Sequence, residues 1–176
     1  MKSQANTKKI FLTPIGNWLA FKTVILFLCF SSLLYSDAKR PALVSLGVGV
    51  FNIVRHQRTA QYQIEYKWEN SFYYIQPFVS FFITNQRSTY FCAGACADIF
   101  VYKDLVLTPS FAPGIYVRGK GKDLGFPLEF RSSLALSYQF KNCTRIGAQF
   151  YHISNASLGH RNPGEESLIF FFSFPP

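Results

Sequence analysis

Residues 144–155 read TRIGAQFYHISN, and their side chains form two alternating series of different polarity. One series contains Arg145 and Gln149, and the other contains Ile146 and Phe150. Because successive side chains of a β-strand point to opposite faces, this segment predicts a strand with one polar face and one largely apolar face. In a barrel that crosses a membrane, the polar face lines the lumen and the apolar face meets lipid.

Extended segments of similar length occupy the rest of the chain from residue 44 onward, and turns rich in glycine and polar residues separate them. The eight predicted strands are residues 44–53, 60–68, 73–84, 90–102, 106–117, 128–140, 144–155 and 166–174. Eight antiparallel strands of roughly ten residues each make the smallest bacterial barrel. We therefore predict an all-β fold, namely an eight-stranded antiparallel outer-membrane β-barrel.

The composition fits a chain whose surface largely meets lipid. Aromatic residues make up 18% of the sequence, charged residues only 15%, and the mean hydropathy is +0.10. A soluble protein carries about 25% charged residues. Past residue 40, no uninterrupted apolar run approaches the ~18–20 residues that a membrane-spanning helix needs. A closed barrel is the remaining way to cross a bilayer, because lipid cannot satisfy the hydrogen bonds of a sheet edge.

The N-terminal segment has the pattern of an export signal. Lysines precede a short apolar stretch at residues 24–34, and small or polar residues follow it at residues 36–38. This order is typical of a secretory signal peptide, with a retained signal anchor as the alternative. We predict a signal peptide at residues 1–38, a barrel domain at residues 39–176, and localisation in the bacterial outer membrane.

The cysteine and histidine patterns favour neither a disulfide framework nor a metal site. Three cysteines follow the signal segment, which is an odd number. Cys92 and Cys96 would lie about 13 Å apart in one strand, too far for a disulfide. No Cys/His spacing resembles that of a metal-binding motif. We expect no cofactor and no metal.

Positive charge is concentrated at one end of the predicted barrel. If the mature N-terminus lies in the periplasm, the loops at residues 55–58, 85–88, 119–123 and 156–165 face the exterior. The basic residues in or beside these loops are Arg55, Arg58, Arg87, Arg118, Lys120, Lys122 and Arg161. Basic side chains bind phosphate through charge-assisted hydrogen bonds, so this end suits lipopolysaccharide phosphates. The alternative is an ordinary solvated loop surface.

A histidine, a serine and a glutamate are predicted to project together from the lipid-facing wall. His152 and Ser154 share one face of their strand, and a hairpin centred near Gly159 places Glu166 opposite His152. Ionisable groups on a lipid-facing surface are costly, which makes them candidates for function. A serine hydroxyl becomes a nucleophile when a histidine takes its proton and a carboxylate orients that histidine. Judged from these residues alone, a catalytic role and a role as ordinary polar residues at the membrane interface are about equally favoured.

The chain also resembles a known family in this region. The motifs are FYHISNA at residues 150–156, NPG at 162–164, ES at 166–167, LGVGVF at 46–51, TPS at 108–110 and DLGFPLEFR at 123–131. Together they resemble the lipid A 3-O-deacylase (PagL, acyloxyacyl hydrolase) family across essentially the whole mature chain. The resemblance implies an eight-stranded outer-membrane barrel that removes the 3-O-linked acyl chain of lipid A, or lipopolysaccharide.

The resemblance also implies the roles of individual residues. The family's histidine falls on His152, its serine nucleophile on Ser154 and its glutamate on Glu166. The chain departs from the family pattern in having a second acid, Glu165, but alternation directs that side chain to the lumen. The family's oxyanion-hole asparagine falls on Asn162 or on Asn155. We prefer Asn162, because its loop can fold back over the serine.

The expected function is ester hydrolysis of lipid A through Ser154, His152 and Glu166, with release of a 3-hydroxy fatty acid. The expected partners are lipid A in the outer leaflet and the outer membrane, without nucleic acid, and a homodimer is left open. Two other functions remain as alternatives. An outer-membrane lipid acyltransferase would favour catalytic residues facing the lumen, and a structural or adhesin barrel would leave the His/Ser/Glu register unexplained.

Overall fold

The computed structural model describes residues 40–54, 57–69 and 74–176, and the predicted signal peptide lies outside them. The described regular secondary structure is β-strand throughout. The strands are β1 (Leu43–Phe51), β2 (Thr59–Lys67), β3 (Ile75–Thr84), β4 (Thr89–Ala97), β5 (Ile99–Tyr102), β6 (Leu105–Val117), β7 (Leu128–Gln139), β8 (Arg145–Ser154) and β9 (Glu165–Phe174). Within these residues, no helix is long and apolar enough to cross a membrane.

The strands close into a barrel of eight antiparallel members, as the sequence predicts. The hydrogen-bonded order runs β4-β3-β2-β1-β9-β8-β7-β6-β5, and β4 also pairs with β6. Since β4 and β5 both pair with β6, they form one interrupted member of the wall. Closure removes the sheet edges that lipid could not satisfy.

One predicted strand, residues 90–102, is interrupted at Asp98. Asp98 is fully buried in the lumen, where its carboxylate lies 2.8 Å from Lys67 Nζ and 2.7 Å from an Arg145 guanidinium nitrogen. The hydroxyl of Thr108 donates a third contact at 2.8 Å. A buried carboxylate is tolerated when it is paired and hydrogen-bonded in this way. The interruption therefore coincides with a buried polar cluster near one end of the lumen.

The opposite end of the barrel carries the loops that follow β1, β3, β6 and β8, and we call it the loop end. Behind β8 and β9, its lumen is filled by buried aromatic rings. The ring of Phe82 packs against Phe51, Tyr90 and Tyr151 at centroid distances of 5.8, 5.5 and 6.4 Å, respectively. On the outer face, large side chains such as Phe150 and Phe170 are exposed, as a lipid-facing wall requires.

Candidate active site

The predicted register between the last two strands is confirmed. His152 of β8 lies directly opposite Glu166 of β9. Nδ1 of the imidazole and Oε1 of the carboxylate are 3.2 Å apart, and the two side chains are 44% and 26% exposed. Residues opposite one another in an antiparallel pair share a face, and here that face also carries the exposed ring of Phe150. The pair therefore lies on the outer wall.

Ser154 lies on the same face, two residues beyond His152 at the end of β8, and opposite Phe130 of β7. Two positions along a strand correspond to about 6.5 Å between Cα atoms. Within the described residues, no hydrogen bond joins the serine hydroxyl to the imidazole. Such bonds are often long in substrate-free enzymes and tighten on binding. Because Nδ1 of His152 faces Glu166, Nε2 is the ring nitrogen left for a hydroxyl.

Gly164 packs against the imidazole just before β9 begins. A Cβ atom at this position would lie 2.7 Å from Cε1 and 3.3 Å from Nε2 of His152. The residue also has a φ of +55°, which L side chains rarely adopt. Only glycine therefore allows the backbone of the β8–β9 loop to come this close to the ring. The sequence predicted Gly164 as part of a motif but not this contact.

The two asparagines proposed for an oxyanion hole occupy different environments. Asn155 is fully buried, and its Nδ2 donates to the carbonyl oxygens of Leu124 at 2.9 Å and Arg161 at 2.8 Å. Its backbone N–H donates to Oδ1 of Asn162 at 3.1 Å. Asn162 is exposed, and this bond turns its oxygen toward the barrel. Asn155 thus links the β6–β7 loop to the β8–β9 loop. In Asn162, the side-chain oxygen accepts the bond from Asn155, and the side-chain nitrogen lies on the other arm of the amide.

The neighbouring acid, Glu165, points into the barrel, as alternation predicts. It is fully buried, and Oε2 accepts hydrogen bonds from the backbone N–H of Asn52 at 3.1 Å and from Ser167 Oγ at 3.0 Å. His152 therefore faces Glu166 and not Glu165.

Lys122 differs from the other basic loop residues. Its ammonium donates to Oδ1 of Asn52 at 2.8 Å and to the carbonyl oxygen of Gly164 at 2.5 Å. The sequence grouped Lys122 with residues that face phosphate, because its loop is basic. The structure instead turns it toward the backbone of the β8–β9 loop.

The other described basic loop residues are exposed at the loop end: Arg58, Arg87, Arg118, Lys120 and Arg161. Arg55 lies outside the described residues. Arg118 and Arg161 share the carboxylate of Asp123, at 3.4 and 2.9 Å. The backbone N–H of Gly125, together with these two guanidinium groups, holds the pKa of the Asp123 carboxyl below its ordinary value. Asp123 therefore stays ionised and organises this side of the rim.

Side chains that could bind a metal do not cluster in the part of the chain that the structure describes. No three His, Cys, Asp or Glu residues there lie close enough to hold an ion. Cys92, Cys96 and Cys143 are free thiols, and the first two are buried in the wall facing the lumen.

Comparison with known proteins identifies the family. Residues 54–175 match the sequence profile described as "Lipid A 3-O-deacylase (PagL)", which is well over half of the chain. No curated protein sequence matches the chain. A structure described as "Crystal structure of the outer membrane enzyme PagL" aligns with a TM-score of 0.60 at 19% identity, covering 76% of this chain and 99% of the other.

A second solved structure, described as "De novo design of transmembrane beta-barrels", aligns with a TM-score of 0.55 at 11% identity, covering 78% of this chain and 97% of the other. At these identities, both structures support the barrel fold alone. The profile match carries the family assignment, and it agrees with the resemblance of the motifs. The chain is thus a bacterial outer-membrane β-barrel that belongs to the lipid A 3-O-deacylase (PagL) family.

Proposed function

We propose that Ser154, His152 and Glu166 hydrolyse the ester that links the 3-O acyl chain to lipid A. The observation that carries the proposal is the 3.2 Å contact between His152 Nδ1 and Glu166 Oε1 on the outer wall. A hydrogen-bonded histidine and carboxylate beside a serine are the parts of an activated nucleophile. Their placement on the wall suits a substrate that already lies in the outer leaflet.

The reaction follows from the two nitrogens of the imidazole. Glu166 accepts a hydrogen bond from Nδ1–H and so holds the tautomer in which Nε2 is unprotonated and able to take the proton of Ser154 as Oγ attacks the ester carbonyl. The resulting imidazolium then protonates the departing sugar oxygen, and an acyl-serine remains. Water, activated in turn by His152, hydrolyses this intermediate and releases the 3-hydroxy fatty acid. No cofactor or metal takes part in these steps.

The negative oxygen that develops on the carbonyl needs a hydrogen-bond donor, and we assign Nδ2 of Asn162 to this role. Its Oδ1 is already fixed by the backbone N–H of Asn155, so the amide plane is held while the nitrogen is left to donate. Asn155 is a weaker candidate because its own Nδ2 is engaged by two backbone carbonyls. A fixed donor of this kind contributes about 2.7–4 kcal/mol in hydrolases.

The loop end carries a cleft with basic side chains that could bind the phosphates of lipid A. A cleft of about 360 Å³ on the rim is lined by Gln57, Gln86, Arg118, Lys120, Gly121, Lys122 and Asp123. Its exposed basic side chains are those of Arg118 and Lys120, whereas Lys122 is half-buried and bonded to protein oxygens. Charge-assisted hydrogen bonds from such groups would hold the phosphorylated sugars above the bilayer while the acyl chains lie along the wall.

One experiment separates hydrolysis from the two other functions. Purified, refolded protein is incubated with lipid A in mixed micelles, and the products are weighed by mass spectrometry. Our proposal predicts loss of one 3-hydroxyacyl group from the 3-position and its appearance as a free fatty acid. Gain of an acyl chain in the presence of phospholipid would instead identify an acyltransferase, and an unchanged mass would leave a structural barrel.

A further inference from the structure

Lys122 donates a hydrogen bond to the β8–β9 loop, which packs against His152, although the lysine itself belongs to the loop between β6 and β7. We propose that Lys122 is a positioning residue, which holds the His152–Glu166 pair in its working geometry through the carbonyl group of Gly164. This inference rests on the proposed function, because it assigns a role within the same site.

The first step of the argument is the contact between Gly164 and His152. The imidazole lies so close to the Gly164 backbone that a Cβ atom there would be 2.7 Å from Cε1. Any shift of this backbone toward the ring would therefore displace the imidazole. A shift away would leave the ring without support on the side of Nε2, the nitrogen that we assign to Ser154.

The second step concerns what fixes Gly164. The residue is the last of the long loop of residues 155–164, so it lies just outside the pairing of β8 with β9, and it has no side chain that could anchor it. Glycine has more conformational freedom than any other residue. The ammonium of Lys122 supplies the restraint, since a charged donor makes a stronger hydrogen bond to a carbonyl than a neutral donor does.

The third step is the anchoring of Lys122 itself. Oδ1 of Asn52, at the end of β1, accepts a second hydrogen bond from the ammonium. The backbone N–H of Asn52 donates to Glu165, and that of Ile53 donates to the carbonyl oxygen of Glu166 at 2.8 Å. Lys122, Asn52 and Ile53 thus hold three consecutive residues, 164–166. Asn52 and Ile53 follow β1, which lies on the side of β9 opposite the strand of His152. Glu166 is one of these three, so the restraint reaches both members of the pair.

A role in phosphate binding is the competing explanation, and the contacts argue against it. Lys120, two residues earlier, is exposed at the rim, whereas Lys122 is half-buried and donates to two protein oxygens. Those two bonds tie the ammonium of Lys122 to the protein, whereas the exposed ammonium of Lys120 can turn toward a phosphate. The two lysines therefore offer a matched pair, with equal charge in one loop and different contacts.

The test compares Lys122→Met with Lys120→Met on two substrates, lipid A and a small soluble ester. Misplacement of a catalytic group by about 1 Å costs up to roughly 100-fold in rate, so we expect Lys122→Met to lower kcat about tenfold or more on both substrates. KM should change little. Lys120→Met should affect the soluble ester far less. A rise in KM for lipid A alone, or no change on either substrate, would overturn the proposal.

A double-mutant cycle with Gly164→Ala tests whether Lys122 acts through Gly164. The added methyl group displaces His152 directly, so the two substitutions should be strongly non-additive in kcat, and additive effects would contradict the proposed route. If Lys122→Met does not fold, Asn52→Ala removes the other anchor of the ammonium and should lower kcat on both substrates in the same way. A failure of the proposed function can be told apart from a failure of this inference. In the first case Ser154→Ala would retain activity, independently of the effect of Lys122→Met.

Discussion

His152 and Glu166 lie directly opposite each other on neighbouring strands, with Nδ1 of the imidazole 3.2 Å from the carboxylate, on the lipid-facing side of the wall. The adjacent Glu165 lies on the other side of the same strand and is fully buried. A one-residue change of register would exchange these two acids, since side chains alternate along a strand. The pairing of β8 with β9 therefore selects the carboxylate that orients the histidine.

Exchanging each acid for its amide tests this selection. Glu166→Gln cannot stabilise the imidazolium that forms on His152, so kcat should fall on the order of 10⁴-fold, less than on loss of the serine or histidine. Glu165→Gln keeps an acceptor for Asn52 and should retain most of the activity. Rates on lipid A for the two variants check the order, and a larger loss for Glu165→Gln would reassign the acid.

The two asparagines should respond differently to removal of their side chains. Asn162→Ala should lower kcat by roughly 10²–10³-fold without affecting the folded barrel, because the amide stabilises charge only in the transition state. Asn155→Ala breaks the bonds to Leu124 and Arg161 and should loosen the loop end as well. Kinetics combined with limited proteolysis of the loops would show the difference. Unchanged kcat in Asn162→Ala would remove this residue from the mechanism.

Charge at the loop end should matter only for phosphorylated substrates. A variant with Arg58, Arg87 and Lys120 changed to Gln is expected to lose affinity for bisphosphorylated lipid A. Each exposed contact contributes under about 1 kcal/mol, so single changes should do little. Hydrolysis of a small soluble ester should persist, because it needs no remote binding energy. Equal losses on both substrates would indicate general damage to the barrel, and no loss on either would make the loops a plain solvated surface.

The polar cluster at the other end of the lumen should contribute to stability. Asp98→Asn leaves Lys67 and Arg145 buried without their shared counter-charge, which should cost about 3–5 kcal/mol in the free energy of unfolding. Asp104→Asn, in an exposed turn, is the matched control and should change it by less than about 0.5 kcal/mol. Urea unfolding in micelles, followed by tryptophan fluorescence, measures both. Equal stability of the two variants would contradict the role of Asp98.

Much of this architecture was predictable because alternation and strand length are local properties. The face shared by His152 and Ser154 follows from strand periodicity, and the pairing with Glu166 follows from the length of one hairpin. Three of the six family motifs, at residues 150–156, 162–164 and 166–167, lie in the same hairpin, so the sequence identified the candidate site and the family together.

The features that the sequence missed depend on contacts between distant segments. The interruption at Asp98 accompanies ion pairs with Lys67 and Arg145, which belong to other strands. Lys122 bonds to Asn52 and Gly164, which are 70 and 42 positions away along the chain. The basic composition of its loop suggested that Lys122 faces phosphate, and the neighbouring sequence does not distinguish it from Lys120. Only the closed barrel brings these partners together.

The most direct test of the whole account is the reactivity of Ser154 itself. Wild-type protein and Ser154→Ala are refolded, checked for a folded, heat-modifiable barrel, and incubated with lipid A while released 3-hydroxy fatty acid is quantified. A long-chain fluorophosphonate is applied in parallel, and the labelled peptide is identified by mass spectrometry. We predict that wild type releases the acid and is labelled on Ser154, whereas Ser154→Ala does neither, because the hydroxyl is the nucleophile. Near-normal acid release by a folded Ser154→Ala barrel would contradict the account.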